Sequence, residues 1–218
     1  MRFKVTGDHR KILEKQKFIE FDDLFSLDEI EKVSAHVDQV LAKRTKHLID
    51  TQSCSELFHA GRDVWRDDPI LEKFICNRGL AQLTAQLFQQ NTLCLGFDQV
   101  LRSTTCPGFP NGTPTTLQQK SCILPLAGVV LIRLSGEADP LSLLPKKREN
   151  VVLISPHLIV PWEMFFQEPK RSFLMIGYAP AKALYVREKN DPNLHSLKKL
   201  GYVFGDHLNT NFHPLLYK

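Results

Sequence analysis

The sequence predicts an α+β chain whose core is a sandwich or jelly roll of strands. Helical periodicity and helix-start signals fill residues 1–90. Short apolar segments, parted by Pro, Gly and charged turns, fill residues 91–189. With 43% hydrophobic and 24% charged residues over 218 positions, the composition suits one globular domain, 1–218, built round a single core. Residues 190–218 are polar with scattered aromatics and are expected to wrap the sheet.

The helices announce themselves at their starts. Ser26 followed by Glu29 forms a capping box, and Ile30, Val33, Val37, Val40 and Leu41 then recur at helical spacing, predicting a helix over about 27–49. Asp68-Pro69 is a second start, because Asp caps and Pro suits the first helical position. Ile70, Leu71, Phe74 and Ile75 follow it on one face. Gly79 interrupts, and Leu80, Leu83, Leu87 and Phe88 carry the stripe to about residue 89. These stripes are core packing. Lys17 to Phe21 alternates weakly, as a short strand would.

The expected strands are Leu93–Leu101, Gly128–Leu134, Val151–Ile154, Phe173–Tyr178 and Leu184–Arg187. Between the first two lies a loop from Ser103 to Ser121, rich in Thr, Pro and Gly. A loop of that length inside a compact domain is commonly functional.

Bulk properties exclude several classes. The net charge of +4 does not define a nucleic-acid binder, and Lys146-Lys147-Arg148 before Glu149 reads as a solvated turn rather than a phosphate patch. Five cysteines without CxxC spacing argue against a disulfide framework or a zinc ribbon and fit a reducing compartment. Residues 1–17 hold no apolar leader. The longest apolar run, about Cys122 to Ile132, is too short for a bilayer. The expectation is a cytoplasmic chain with no membrane partner.

Four segments, in order, resemble the phytanoyl-CoA dioxygenase branch of the Fe(II)/2-oxoglutarate oxygenases. Phe18 to Val40 looks like that family's opening strand and helix. Trp65 to Phe88 is similar to its second helical region. Phe97 to Leu101 is similar to the strand before its metal loop, and Val151 to Tyr178, closing in Gly177-Tyr178-Ala179-Pro180, to its last core strands. The resemblance implies a double-stranded β-helix (jelly-roll) core with N-terminal helices packed against it. It also implies a site of two His and one carboxylate that leaves iron positions open for 2-oxoglutarate and dioxygen.

The chain departs from that pattern at the metal. The H-x-D motif falls on Thr116-Leu117-Gln118 or Leu117-Gln118-Gln119, and Thr104 to Ser121 contains no His, Asp or Glu. The later His falls at Val160. His157 lies three residues off, an odd offset that points a strand side chain to the other face. Neutral Gln and Thr are weak ligands for Fe(II). Arg171 matches the family's arginine for the distal carboxylate of 2-oxoglutarate, and Arg102 lies near a basic contact of relatives.

The expectation is a non-catalytic or strongly diverged protein on this fold. It would keep an anion pocket of Arg171, Arg102, Gln99 and Gln118 for a small carboxylate, 2-oxoglutarate among them, or else engage a protein partner. The ordinary reading of Arg171 is a surface strand-end arginine. Thr116, Gln118 and Val160 mark degenerate metal positions; no Fe(II) site is expected. One rival is an active 2-oxoglutarate-dependent oxygenase whose metal is held by His157, His207 or His213. The other is a metal-responsive DNA-binding regulator, although no helix-turn-helix or zinc-finger spacing supports it. Asp206, His207 and His213 otherwise read as surface or packing residues. Cys106 reads as an inert thiol, and His9, His36, His47, His59 and His195 are dispersed.

Overall fold

The computed structural model describes residues 4–105, 114–137 and 143–218. Five helices and ten strands follow in the order α1 (Gly7–Gln16), β1 (Phe18–Phe21), α2 (Leu27–Thr45), α3 (Cys54–Ala60), α4 (Pro69–Ile75), α5 (Arg78–Phe88), β2 (Leu93–Arg102), β3 (Thr115–Thr116), β4 (Ile123–Leu124), β5 (Gly128–Ser135), β6 (Val151–Ile154), β7 (Ile159–Val160), β8 (Ser172–Ala179), β9 (Leu184–Tyr185) and β10 (Leu215–Tyr217). No helix among the described residues is long and apolar enough to cross a membrane.

The local signals act where they stand. The Ser26 hydroxyl accepts from the Glu29 amide, Glu29 answers at the Ser26 backbone, and α2 buries Ile30, Val33, Val37, Val40 and Leu41. The helix stops at Thr45, short of the expected 49, because Lys46 turns left-handed and returns its N–H to the Ala42 carbonyl. The stripe expected to run unbroken from Asp68 to about 89 is two helices. Asn77 breaks it by accepting from the Leu80 amide and starting α5 afresh, so Gly79 is helical rather than an interruption. The sequence reading missed α1, α3 and the short strands β3, β4 and β10.

Six strands form one antiparallel sheet in the order β1-β6-β5-β8-β2-β10. Both faces are covered. Leu174, Ile176 and Tyr178 of β8 join the cluster under the helices. Phe173, Met175 and Ala179 join a second cluster closed by the ladders β3–β7 and β4–β9 and by Leu197, Tyr202 and Leu208 of the C-terminal segment. That segment reaches both layers, because β10 also pairs with the edge of β2.

One inserted residue decides what β2 offers each face. Leu95 stands opposite Tyr178 and Phe97 opposite Gly177, so Gly96 is an extra residue, a bulge. Before it, Leu93 and Leu95 face the helices; after it, Phe97 and Leu101 face the second cluster and Val100 the helices. Phe97 fills the space a side chain at 177 would need: a Cβ on Gly177 would lie 2.5 Å from the ring.

Residues 60–67 fasten to the free stretch of this strand. The Val100 amide donates to the Gly61 carbonyl, and the Asp63 amide to the Asp98 carbonyl. The buried Asp98 carboxylate accepts from the Val64 and Trp65 amides at 3.0 and 3.3 Å. From the other side Arg44 of α2 donates to the carbonyls of Ala60, Arg62 and Asp63 and pairs with Asp67 at 2.7 Å. Burial, and secondly the nearby Asp63, push the Asp98 carboxyl above its usual range, against its two amide bonds and Arg62.

Two outcomes follow. Replacing Gly177 with Ala forces the Phe97 ring aside and costs about 1–3 kcal/mol, read as a lower denaturant midpoint at unchanged slope. Asp98→Ala strands two buried amides and costs about 2–4 kcal/mol. The raised folded-state pKa of Asp98 also gives a sign. The folded chain holds this proton more tightly than the unfolded one, so the contribution is full below about pH 4 and is lost as pH rises through the raised value. Stability against pH is expected to slope less steeply in Asp98→Asn than in the parent; parallel curves would refute the assignment.

Candidate functional site

The structure puts the positions where the resemblance would place metal ligands side by side. Strands β3 and β7 pair with Thr115 opposite Val160 and Thr116 opposite Ile159. The Gln118 amide donates to the Pro156 carbonyl, closing the same corner. The side chains present are not metal ligands. The Thr116 hydroxyl accepts from the Gln119 amide. Gln118 uses its side-chain amide within its own loop, donating to the Ile123 carbonyl at 2.9 Å and accepting from the Leu126 amide at 2.7 Å. Leu117 and Val160 are buried in the second cluster beside Phe58, Trp162 and Met175. His157 lies on the turn before β7 and is exposed.

An Fe(II) site needs imidazoles and a carboxylate converging on one point. Here that corner offers a hydroxyl and an amide already engaged, and two aliphatic side chains. The residues do not fit the metal. His207 is held by the Lys182 carbonyl, and His213 is buried with its Nδ1 3.0 Å from the Leu95 carbonyl. Among the described residues no three His, Cys, Asp or Glu gather as a metal site.

The four expected pocket residues occupy different places. Gln99 follows the bulge on the alternation of Phe97 and Leu101, toward the second cluster, whereas Arg102 follows that of Val100, toward the helices, and pairs with Asp38 of α2 at 3.1 Å. Arg171 is buried at the head of β8, not on the surface. Its carbonyl accepts from the Ser103 amide, and its own amide donates to the Ser103 hydroxyl. Gln99 stands opposite Met175, four residues along β8 from Arg171, which is roughly 13 Å of strand. Cys106 lies outside the described residues. The basic run is matched by acids: Lys146 with Glu20, Lys147 with Asp23 and Arg148 with Glu31.

Gln99 belongs instead to a polar chain with one direction. Its Nε2 donates to the Phe58 and Val100 carbonyls, so its Oε1 accepts from Asn193 Nδ2 at 2.9 Å. The Oδ1 of Asn193 is then the acceptor facing His59 Nδ1 at 3.1 Å, which places the neutral ring's proton on Nδ1. Asp191 secures Asn193 by accepting from its amide and from that of Cys122. Burial drives the Cys122 thiol well above its usual range, which suppresses its thiolate.

This chain floors a cleft of about 980 Å³ between the end of α2, α3, residues 60–67 and the C-terminal segment. Three histidines that look dispersed in sequence, His47, His59 and His195, meet round it with Arg44, Arg62 and Arg66. The sequence reading missed Arg62 and Arg66. The available signal was the charge density of Arg62-Asp63-Val64-Trp65-Arg66-Asp67-Asp68 between two helices, too rich in charge for a plain connection.

No protein-family model matches the sequence, and no curated protein matches it at the level of sequence. Solved structures do match. The non-haem α-ketoglutarate-dependent carbocyclase SnoK from nogalamycin biosynthesis is 13% identical, with a TM-score of 0.69 over 97% of this chain and 96% of its own. The epimerase SnoN of the same biosynthesis is 14% identical, with a TM-score of 0.70 over 96% and 97%. CytC3, solved with Fe(II) and α-ketoglutarate, is 13% identical, with a TM-score of 0.57 over 99% and 89%. At these identities the likeness is one of fold, and this chain has the fold of non-haem iron, 2-oxoglutarate-dependent enzymes.

Proposed function

We propose that the chain is a diverged, non-catalytic protein on the 2-oxoglutarate oxygenase fold, of the phytanoyl-CoA dioxygenase type with a jelly-roll core, that binds a small anionic metabolite. One observation carries the reading. The β3–β7 corner, where the resemblance would put the iron, is built from Thr116, Leu117, Gln118 and Val160, with the aliphatic pair packed into the second cluster. The pairing of Thr115 with Val160 and Thr116 with Ile159 supports the reading by bringing these positions together. Function belongs to sites rather than to folds, so a scaffold can outlive its chemistry.

A second reading, an active oxygenase with ligands drawn from elsewhere in the chain, is favoured by Arg171, buried at the head of β8 where the family would anchor 2-oxoglutarate. One experiment separates the two. Anaerobic titration with Fe(II) and 2-oxoglutarate is expected to produce no metal-to-ligand charge-transfer absorption and no metal binding at millimolar concentrations. A band that grows with both additions would establish the second reading and send mutagenesis to the histidines.

A further inference from the structure

The cleft contains a charged group that the fold leaves unsatisfied. The Arg62 side chain is only 6% exposed, yet its Nε and Nη2 donate no hydrogen bond among the described residues. The Asp63 carboxylate lies 4.0 Å away, beyond a hydrogen bond, and the guanidinium rests on the Phe97 ring at 4.0 Å. Arg66 repeats the pattern in part: its Nη2 donates to the Phe212 carbonyl at 2.7 Å, but its Nε is buried with no hydrogen bond among the described residues, 3.9 Å from the same carboxylate. Buried donors without acceptors are costly, most of all on a cation. Both side chains line the cleft.

The neighbouring acids leave this demand open. Asp67 is taken by Arg44. Glu56 caps α3, accepting from the backbone and hydroxyl of Ser53. Asp63 therefore faces Arg62 and Arg66 together, and Lys199 adds a cation at the rim. Burial opposes the charge on Arg62, but Asp191 first and Asp63 next hold its pKa above the usual value. The guanidinium stays charged, with Nε and Nη2 buried beside the cleft and without an acceptor among the described residues.

We propose that this cleft is the binding site of the small anion, and that the carboxylate or phosphate oxygens of the ligand accept from Arg62 and Arg66. This rests on the anion-binding half of the function proposed above and moves its site from Arg171 to the middle of β2, where Arg62 bridges Gln99 and lies over Phe97. A guanidinium fork matches the two oxygens of either head group. The volume holds far more than a bare anion, so the ligand is a metabolite whose polar body meets His59, Asn193, His195 and Ser196.

The test is calorimetric titration of the full chain at constant ionic strength, with sodium phosphate in one arm and sodium succinate in the other. At least one is expected to bind, and the preferred arm names the head group. Arg62→Met keeps a stem on Phe97 but removes the fork, and is expected to weaken binding about tenfold or more. Where circular dichroism shows that variant unfolded, Arg66→Gln and the exposed Lys199→Gln decide: each should weaken binding several-fold. No binding of either anion, or affinity unchanged in the folded variants, overturns the proposal. Affinity lost in Arg171→Gln but kept in Arg66→Gln would return the site to the head of β8. The iron titration is read independently. A charge-transfer band beside intact anion binding in the cleft defeats the non-catalytic reading alone.

Discussion

The short connection between α3 and α4 is held from two sides, by an arginine and by a buried carboxyl group. Arg44 binds its carbonyls and Asp98 its amides. Everything polar in the cleft depends on that double hold. It sets Arg62 over Phe97 and brings Arg66 beside Asp63. The connection has little apolar content of its own: Val64 is buried in the helix-side cluster, and Trp65 packs partly buried against it. Hydrogen bonds to charged groups are among the stronger ones a fold can use, and here they replace packing. The fit is close as well: a Cβ on Gly61 would lie 2.8 Å from that of Val100.

The sheet separates two chemistries that share strand β2. Its inner face beyond the bulge is apolar through Phe97 and Leu101, and the corner at Thr116 and Val160 continues that lining. Between Phe97 and Leu101 on that same face, buried Gln99 begins the directed chain that runs through Asn193 to His59.

Parts of this were legible in the sequence because they are local. A cap and its helix lie within four residues, so Ser26, Asp68 and the stripe of α2 could be read directly. Strands β5, β6 and β8 were legible as short apolar runs between turns. Elements with few buried residues were not: α1 buries only Leu13, α3 is seven residues long and β10 three. The cleft was the least legible, since it joins residues 44–67 to residues 192–200 and no periodicity links them. Arg171 could be singled out by family resemblance. Nothing in its own neighbourhood of sequence shows that it is buried, because Ser103, which binds its backbone, lies on another strand's end.

The bulge at Gly96 acts as a phase switch. Pair the strand regularly with Gly96 kept in register, and positions 97–102 each turn to the opposite face: Asp98 would be driven into the apolar cluster, and Phe97 would leave Arg62 without its platform. Drift by substitution leaves this frame intact, while a one-residue slip of the strand past β8 would exchange the two faces at once. The reading frame of the strand, as much as the identity of any side chain, is therefore what a lineage must preserve to keep the cleft.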